Sequence, residues 1–588
     1  MSMGRVCRRF APLLLLLFLA VDVGAGMYRD HRSLSYPQET HHDTYLMVSR
    51  LARVIEGWRP VESDCDIGLF CPYGFEERST APTSWVSRYR WLWTQGGVYA
   101  NAYPLNALPA AALVALFPGS AAVAALGPRL WFACLLVACF LLGRLGRGPV
   151  TGLFAVLLAC GTPGLFGAAM EHRDDIALAA IAAWIAVLLF ATEGFSRLLP
   201  CLGVSALTML AFRVSENVSG TLLVALTCAG PWLVAAQAGL APGWRGDRRW
   251  RRLLGVATIL APAVLVLLFW PGRDGALQYM FFGAQLGDNG VPGTVDGNWV
   301  PEVAVLPRRL AYLEESARHL VLQPLVYLLW AGLIAAVSSG RRPAIAVAGM
   351  HLLPLLVLSL SVRVANWYLI PSLPGLVVAG AIGLALVPNR YLRALFCGAA
   401  LTSAGVERFA ATVAEVPRWT GDELVQPVIQ GDKVLQYPRP DEGAAVAEIS
   451  KVAREPRADG KPVRVLVLAT MRTRGLRTCW VVEFDAPDAT CYAPMYESDL
   501  RTPAVVLDPG RYDVLAWFER QGLFEMPMGE SGPLPSMLLD AFNHMSPAQQ
   551  VSQKLVEGLR RFRWETVHTP SGPVYRKIPG SGPVPGGG

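Results

Sequence analysis

The sequence contains little charge for its length. Charged residues make up 16% of its 588 residues, against roughly 25% in soluble domains. Hydrophobic types make up 53%, and the mean hydropathy is +0.37. A soluble globular protein could not bury so large a share of apolar residues away from water. The composition therefore excludes an ordinary soluble protein and indicates that most of the chain lies in a lipid bilayer.

Several motifs that would assign a function are missing from the sequence. No CxxC occurs, which disfavours a zinc site of the usual spacing. No RRM, zinc-finger or helix-turn-helix pattern accompanies the net charge of +7. The arginines lie in short loops between apolar runs, where they set membrane orientation. The sequence therefore predicts no nucleic-acid partner.

Apolar runs of about 17–25 residues predict about eleven membrane spans. The first is either a cleaved signal peptide or a retained span, and in both cases the chain after Gly26 begins outside the cytoplasm. The runs cover residues 11–27, 124–143, 149–169, 176–194, 198–213, 218–236, 253–271, 321–337, 343–361, 367–387 and 393–410.

The charge of the connecting loops predicts the orientation of the spans. Arginine-rich segments fall in alternate loops, as the positive-inside rule requires. They are Arg5/Arg8/Arg9, Arg144/Arg147, Arg197, Arg245–Arg252, Arg341/Arg342 and Arg390/Arg393. The outer segments are then residues 28–123, the short loop Glu171–Asp175, residues 272–320 and the tail from 411. We expect an integral, multi-pass protein of a bacterial inner membrane, although the endoplasmic reticulum stays open.

The predicted fold is mainly α: a membrane helical bundle followed by a small soluble α/β domain. Residues 1–410 form the membrane domain, and its first outer loop, 28–123, carries surface helices near Met47–Trp58 and Pro104–Phe117. Residues 411–578 form the soluble domain on the non-cytoplasmic side, and the Gly-Pro-rich residues 579–588 are disordered.

Short β-type and helical patterns predict the elements of this soluble domain. The predicted strands are Val463–Ala469, Trp480–Phe484, Val505–Leu507 and Tyr512–Trp517, and the predicted helices are Gly443–Arg454 and Ser552–Phe562. The pairs Cys65/Cys71 and Cys479/Cys491 would each close a disulfide in an oxidising compartment, and the sequence leaves both pairs open.

Ionisable residues gather on the predicted outer face, where burial in a membrane makes them costly. Glu39, His41, His42 and Asp43 follow the first span, although Asp43 also fits a helix-capping box. Five consecutive ionisable residues, Glu171–Asp175, separate two apolar runs. Carboxylates can take a proton from an attacking hydroxyl, and arginine can balance a departing phosphate. Together they meet the requirements for transferring a sugar from a lipid-phosphate carrier.

Four short motifs within about residues 1–400 resemble the GT-C membrane glycosyltransferases, and most closely the protein O-mannosyltransferase and aminoarabinose transferase group. The first is the acid after span one, in His41-His42-Asp43-Thr44-Tyr45. The others are Ala102-Tyr103-Pro104-Leu105, His172-Arg173-Asp174-Asp175-Ile176 and Trp367-Tyr368-Leu369-Ile370-Pro371.

The resemblance implies an inverting transferase that uses a polyprenyl-phosphate sugar donor, with an acceptor that the sequence leaves unknown. It implies that Asp43 is the general base and that Asp174 or Asp175 is the second acid. Relatives carry polar residues where this chain has Ala102-Tyr103-Pro104, so the donor phosphate must be bound from elsewhere. The candidates for phosphate binding are Arg173, Arg363 and Tyr368, and the supporting residues are Glu39, His42 and Glu216.

Two other functions stay open from the sequence. A flippase or transporter of lipid-linked sugars is disfavoured because no internal repeat is evident and the ionisable residues cluster near one face. If the protein were a non-catalytic scaffold, the carboxylates on the outer face could be replaced without loss of function. No cofactor is expected. A divalent metal held by His41, His42, Asp43 and His172 is conceivable, but carboxylate-led transfer does not require one.

Overall fold

The structure is a computed structural model in which the chain divides into two compact units. One contains Met1–Arg29 and Leu126–Leu435, and the other contains Asp30–Ala125 and Gln436–Gly588. The residues described are 13–17, 19–20, 58–60, 75–78, 104–117, 123, 126–170, 174–214, 218–240, 248–269, 321, 324–360, 366–413, 440–455, 463–469, 478–479, 482, 485–486, 489–492, 512–519, 522–523, 562–569 and 572–578.

Most α-helices of the described residues follow the predicted apolar runs. In chain order they are α1 (Pro104–Leu116), α2 (Leu126–Arg147), α3 (Pro149–Cys160), α4 (Pro163–Met170), α5 (Asp174–Ala191), α6 (Leu198–Val214), α7 (Val218–Leu240), α8 (Arg248–Phe269), α9 (Leu325–Ser338), α10 (Arg342–Leu360), α11 (Leu373–Leu386), α12 (Arg390–Val413) and α13 (Pro440–Ala453). A 3₁₀ helix, Asn366–Ser372, leads directly into α11.

The chain is an integral membrane protein by the length and hydropathy of its helices. Within the described residues, Leu126–Arg147 and Leu369–Leu386 are long and apolar enough to cross a bilayer. The run 149–169 is divided into α3 and α4, bent by 67°, and counts as a third span if the bent pair crosses together. Other apolar helices are shorter. The count of about eleven spans therefore stays a prediction.

Small residues let the central helices of the membrane unit approach closely. A Cβ at Gly383 of α11 would collide with the backbone of Gly332 in α9, and one at Gly380 would meet Leu329. Close backbone approach at such residues is how helices associate in lipid, where no hydrophobic force drives them together. As a result α11 is buried along nearly its whole length.

The second unit contains the predicted small α/β fold. A separate two-stranded pair is formed by β1 (Trp58–Pro60) and β2 (Phe75–Arg78). The strands of the main sheet are β3 (Val463–Ala469), β4 (Ala489–Tyr492), β5 (Val514–Glu519), β6 (Gly522–Leu523), β7 (Trp564–Thr569) and β8 (Gly572–Lys577). Their order is β4-β3-β5-β8-β7, with β6 paired to β5. Strand β3 pairs in parallel with β4 and β5, while β8 is antiparallel to β5 and β7.

Three of the six predicted elements of this domain match, one is wrong, and two lie in residues that the structure does not describe. Strand β3 and helix α13 lie where they were predicted, and β5 begins two residues later than expected. The predicted strand Trp480–Phe484 is wrong at Val482, the one residue of this range that the structure describes, because Val482 is helical. Cys479, Val482 and Ala486 are buried at i, i+3 and i+7, which is one helical face. The hairpin β7–β8 was not predicted, and residues 505–507 and 552–561 lie outside the described part.

Helix α1 confirms the predicted helix at Pro104–Phe117 but adds an unexpected partner. Ala110, Ala111 and Val114 are buried in one apolar cluster with Val446 and Val463 of the C-terminal domain. The contacts thus group residues 30–125 with that domain, whereas the sequence assigned the loop 28–123 to the membrane domain. The boundaries at 410 and 578 stay predictions, and residues 47–57 and 579–588 lie outside the described part.

Cys479 and Cys491 form a disulfide. It joins the helical segment around Cys479 to strand β4. The structure therefore confirms one of the two disulfides that the sequence left undecided. Cys65 and Cys71, the other pair, lie outside the described residues.

Candidate active site

The predicted site residues are only partly within the described structure. Asp175 is described with its side chain, whereas Asp174 and Tyr368 are described by their backbone alone. The others lie outside the described residues, and their assignments stay predictions: Glu39, His42, Asp43, Arg173, Glu216 and Arg363.

Asp175 is a buried carboxylate in the first turn of α5. Its residue is 6% exposed, and the next residue, Ile176, is fully buried. The rest of α5, from Ile176 to Ala191, contains no charged residue. The amino end of a helix stabilises a negative charge through its free N–H groups and its dipole. Asp175 is therefore held where an ionised carboxylate can persist at the edge of an apolar bundle.

The 3₁₀ helix brings a second predicted motif against the first. Residues Asn366–Ser372 contain the Trp367-Tyr368 pair, and this segment packs against both α5 and α4. Pro371 lies within it and Pro374 follows, so two backbone donors are missing where an α-helix would need them. The element that carries Tyr368 and the element that begins with Asp174 and Asp175 are therefore in direct contact.

A buried hydrogen-bonded chain anchors the 3₁₀ helix to α10. The Nδ1 atom of His351 lies 3.0 Å from Oγ of Ser372, and that hydroxyl donates to the carbonyl of Leu369 at 2.8 Å. Because the Ser372 proton is committed to Leu369, Nδ1 of His351 must be the donor to Oγ. Nε2 is then an acceptor, and it has no protein partner. Sequence analysis missed His351, although a lone histidine inside an apolar run was a usable signal.

Close beside His351, a second buried polar atom has no protein partner. Nε1 of Trp330 in α9 is unpaired, and the two ring centroids are 5.5 Å apart in an edge-on arrangement. A tryptophan N–H can only donate, while Nε2 of His351 can accept.

Arg408 brings a positive charge to the same end of the bundle. Its guanidinium lies 5.1 Å from the ring centre of Phe166 in α4, the short helix that packs against α5 and the 3₁₀ helix. The break before α4 is fixed by Gly161, where a Cβ would collide with Ala404 of α12. Sequence analysis missed Arg408, which lies near the end of the last apolar run.

Metal ligands do not gather in the part of the chain that the structure describes. Within those residues, no group of three or more His, Cys, Asp and Glu side chains is placed to hold an ion. The residues proposed from the sequence as a metal set, His41, His42, Asp43 and His172, lie outside that part. Metal dependence therefore stays untested by this geometry.

Comparison with known proteins gives similarity in structure alone. No family model matches the sequence, and no curated protein matches it. ArnT from Cupriavidus metallidurans in the apo state is similar with a TM-score of 0.49 and 15% identity, over 96% of this chain and 98% of that chain. The same protein bound to undecaprenyl phosphate gives a TM-score of 0.49 and 14% identity, over 99% and 100% of the chains.

A third solved structure is more distant. The Archaeoglobus fulgidus oligosaccharyltransferase in complex with Zn and sulfate gives a TM-score of 0.45 and 11% identity, over 93% of this chain and 70% of that chain.

Proposed function

We propose that the protein is a membrane glycosyltransferase that moves a sugar from a polyprenyl-phosphate donor to an envelope acceptor on the non-cytoplasmic face. The observation that carries this proposal is the position of Asp175. It is a buried carboxylate at the start of α5, and α5 packs against the 3₁₀ helix that contains Tyr368. Two of the four motifs behind the GT-C resemblance thus lie on contacting elements.

The proposed reaction is a single displacement with inversion. A hydroxyl or amine of the acceptor attacks the anomeric carbon while the bond from that carbon to the phosphate oxygen breaks. Asp43 takes the proton from the acceptor, and the polyprenyl phosphate leaves with the electron pair of the broken bond. Asp174 and Asp175 orient the acceptor or the sugar. Holding both substrates in line supplies much of the rate.

Arginines balance the charge on the departing phosphate. Arg173 and Arg363 were proposed for this from the sequence, and Arg408 joins them because it is held beside α4. A guanidinium matches the oxygens of a phosphate in a bidentate geometry. In a site shielded from water such pairing is stronger than at an exposed surface, so it favours the transition state over the bound donor.

The disulfide supports the proposed orientation. Disulfides persist in oxidising compartments and are rare in the cytosol. The Cys479–Cys491 bond therefore favours a C-terminal domain outside the cytoplasm. This agrees with the orientation that the arginine-bearing loops predict.

The test is donor turnover by the purified chain in lipid nanodiscs. Synthetic polyprenyl-phosphate pentose, hexose and aminopentose donors would be incubated with host membrane extract as acceptor, and released polyprenyl phosphate would be measured by mass spectrometry. Asp175→Asn should reduce turnover by about 10²-fold or more, the scale of a misplaced substrate, because Asp175 is proposed to orient the acceptor or the sugar. The matched control is Glu193→Gln beyond the other end of α5, which removes an exposed ion pair with Arg197 and should change little.

Two results would contradict the proposal. One is that no donor is turned over by a folded wild-type chain. The other is full activity in Asp175→Asn, which would make that carboxylate a helix-capping group and leave the second acidic position unsupported.

A further inference from the structure

Three arginines converge at the end of the membrane unit opposite to the candidate active site. Arg147 ends α2, Arg341 precedes α10, and Arg393 lies in the first turn of α12. The charges of Arg393 and Arg341 both repel the guanidinium of Arg147. We call these three residues the arginine cluster. Arg393 and Arg408 lie 15 residues apart on α12, or about 22 Å along its axis at 1.5 Å per residue.

Close helix packing brings the arginine cluster together at the carboxyl end of α11. Beside Arg147, a Cβ at Gly146 would collide with Ile382 of α11. Nη1 of Arg393 donates to the carbonyl of Val387, which follows α11, at 3.4 Å. The glycine contacts between α9 and α11 place the turn that carries Arg341 at the same end. The cluster is thus built by the bundle rather than by one flexible loop.

The sequence around the arginine cluster supplies no carboxylate. Residues 126–170 and 325–406 contain neither Asp nor Glu, and the three turns at this end carry Arg144, Arg147, Arg341, Arg342, Arg390 and Arg393. Glu193, in the neighbouring turn after α5, pairs with Arg197. The mutual repulsion within the cluster is therefore not offset by acids of these segments.

A helix dipole accounts for only part of the arrangement. One cation at the carboxyl end of a helix is stabilising, and Arg393 meets that end of α11 directly. Arg147 and Arg341 are exposed and add like charge beside it. Such an arrangement is favourable when an anion sits between the guanidinium groups, because each planar fork can bind two phosphate oxygens.

We propose that the arginine cluster binds the phosphate groups of an anionic phospholipid in the adjacent leaflet. Basic pockets between membrane helices on the cytoplasmic side bind such headgroups. Three guanidinium groups around one helix end suit a headgroup with two phosphates better than one with a single phosphate. The lipid would hold together the ends of α2, α10 and α12 around α11.

The test is native mass spectrometry of the full chain in detergent, titrated with cardiolipin, phosphatidylglycerol or phosphatidylcholine. Wild type should retain cardiolipin in preference to phosphatidylcholine by about tenfold or more. Arg147→Gln/Arg341→Gln should lose at least tenfold in cardiolipin retention, and adding Arg393→Gln should lose more. The double variant keeps the Arg393–Val387 hydrogen bond, so it tests binding even if the triple variant fails to fold.

A matched control separates a site from general surface charge. Arg249→Gln/Arg251→Gln removes the same charge from two exposed residues at the start of α8, and it should retain cardiolipin within about twofold of wild type. Equal loss in this control would overturn the proposal in favour of a diffuse basic surface. Displacement of the lipid by millimolar inorganic phosphate would also overturn it, because the site would then recognise free phosphate rather than a lipid.

Discussion

Nδ1 of His351 in α10 donates to Oγ of Ser372 across 3.0 Å, and this bond joins α10 to the last residue of the 3₁₀ helix. Both residues are fully buried. Ser372 passes the link on to the carbonyl of Leu369, inside the 3₁₀ helix. The segment that carries Tyr368 is therefore held from behind by a polar chain within an apolar bundle.

The first prediction concerns this link. His351→Ala should lower the melting temperature of the detergent-solubilised chain, because it removes the hydrogen-bond donor to Ser372 and opens a cavity. The loss of the hydrogen bond alone should cost about 1–3 kcal/mol. His351→Asn should recover much of the loss, since its side-chain amide can donate from nearly the same place. Trp330→Phe is the control, because Nε1 of Trp330 has no protein partner to lose.

A double-mutant cycle decides whether the two residues act together. His351→Ala and Ser372→Ala should be less than additive when combined, because either change alone breaks the same bond. Strict additivity would show that the hydrogen bond contributes nothing to stability. It would contradict the claim that this bond anchors the 3₁₀ helix to α10.

The second prediction concerns the contact between α9 and α11. Gly383→Ala should destabilise the chain strongly, because the added Cβ collides with the backbone of Gly332 and the two helices must separate. Gly398→Ala in α12 is the matched control, since a Cβ there meets nothing within 4 Å. Alanine is favoured over glycine inside a helix by about 1 kcal/mol. The melting temperature should therefore fall for Gly383→Ala and stay unchanged or rise for Gly398→Ala.

The third prediction concerns the C-terminal disulfide. In intact cells, Cys479 and Cys491 should resist alkylation until a reductant is added. Cys479→Ser should lower the thermal stability of the domain, because the bond closes a loop over a sequence separation of 12, and a closed loop of about this length is worth roughly 3 kcal/mol. Cys134→Ser, at a free cysteine, is the control. Free thiols at both positions in fresh cells would contradict the non-cytoplasmic placement of the domain.

The fourth prediction is a pH dependence in the same domain. Burial raises the pKa of Asp485, and the nearby charge of Arg454 only partly opposes the shift. A raised folded-state pKa gives stability that is present below the unfolded-state value and is lost as the pH rises through the folded-state value. Asp485→Asn should therefore stabilise the chain at neutral pH and flatten this dependence. Melting temperatures of the wild type and the variant, measured between about pH 4 and pH 8, would show this difference. A variant less stable than wild type at neutral pH would contradict the prediction.

Sequence patterns predicted those parts of the fold that depend on composition. The apolar runs located α2, α5 and α12, because lipid requires continuous apolar helices. They did not reveal the bend at Gly161, since it depends on the close approach of Ala404 from a distant helix. The strand expected at Trp480–Phe484 failed for a similar reason, because three buried positions select a helical face there.

The candidate site was predictable only where charge stands out from an apolar background. Asp175 was found because five ionisable residues interrupt two apolar runs. His351 was missed because its role depends on Ser372, 21 residues later, and on the turn that brings them together. Arg408 was missed because its partner ring belongs to α4, far away in the chain.

The central claim is tested most directly by deleting the gene in its host and profiling envelope glycans and glycolipids by mass spectrometry. The deletion would be complemented with wild type, Asp43→Asn, Asp175→Asn or Glu193→Gln at matched membrane expression. The account predicts that one sugar unit disappears, returns with wild type and Glu193→Gln, and stays absent or strongly reduced with either aspartate variant. An unchanged glycan profile in the deletion strain, or full restoration by both aspartate variants, would contradict it.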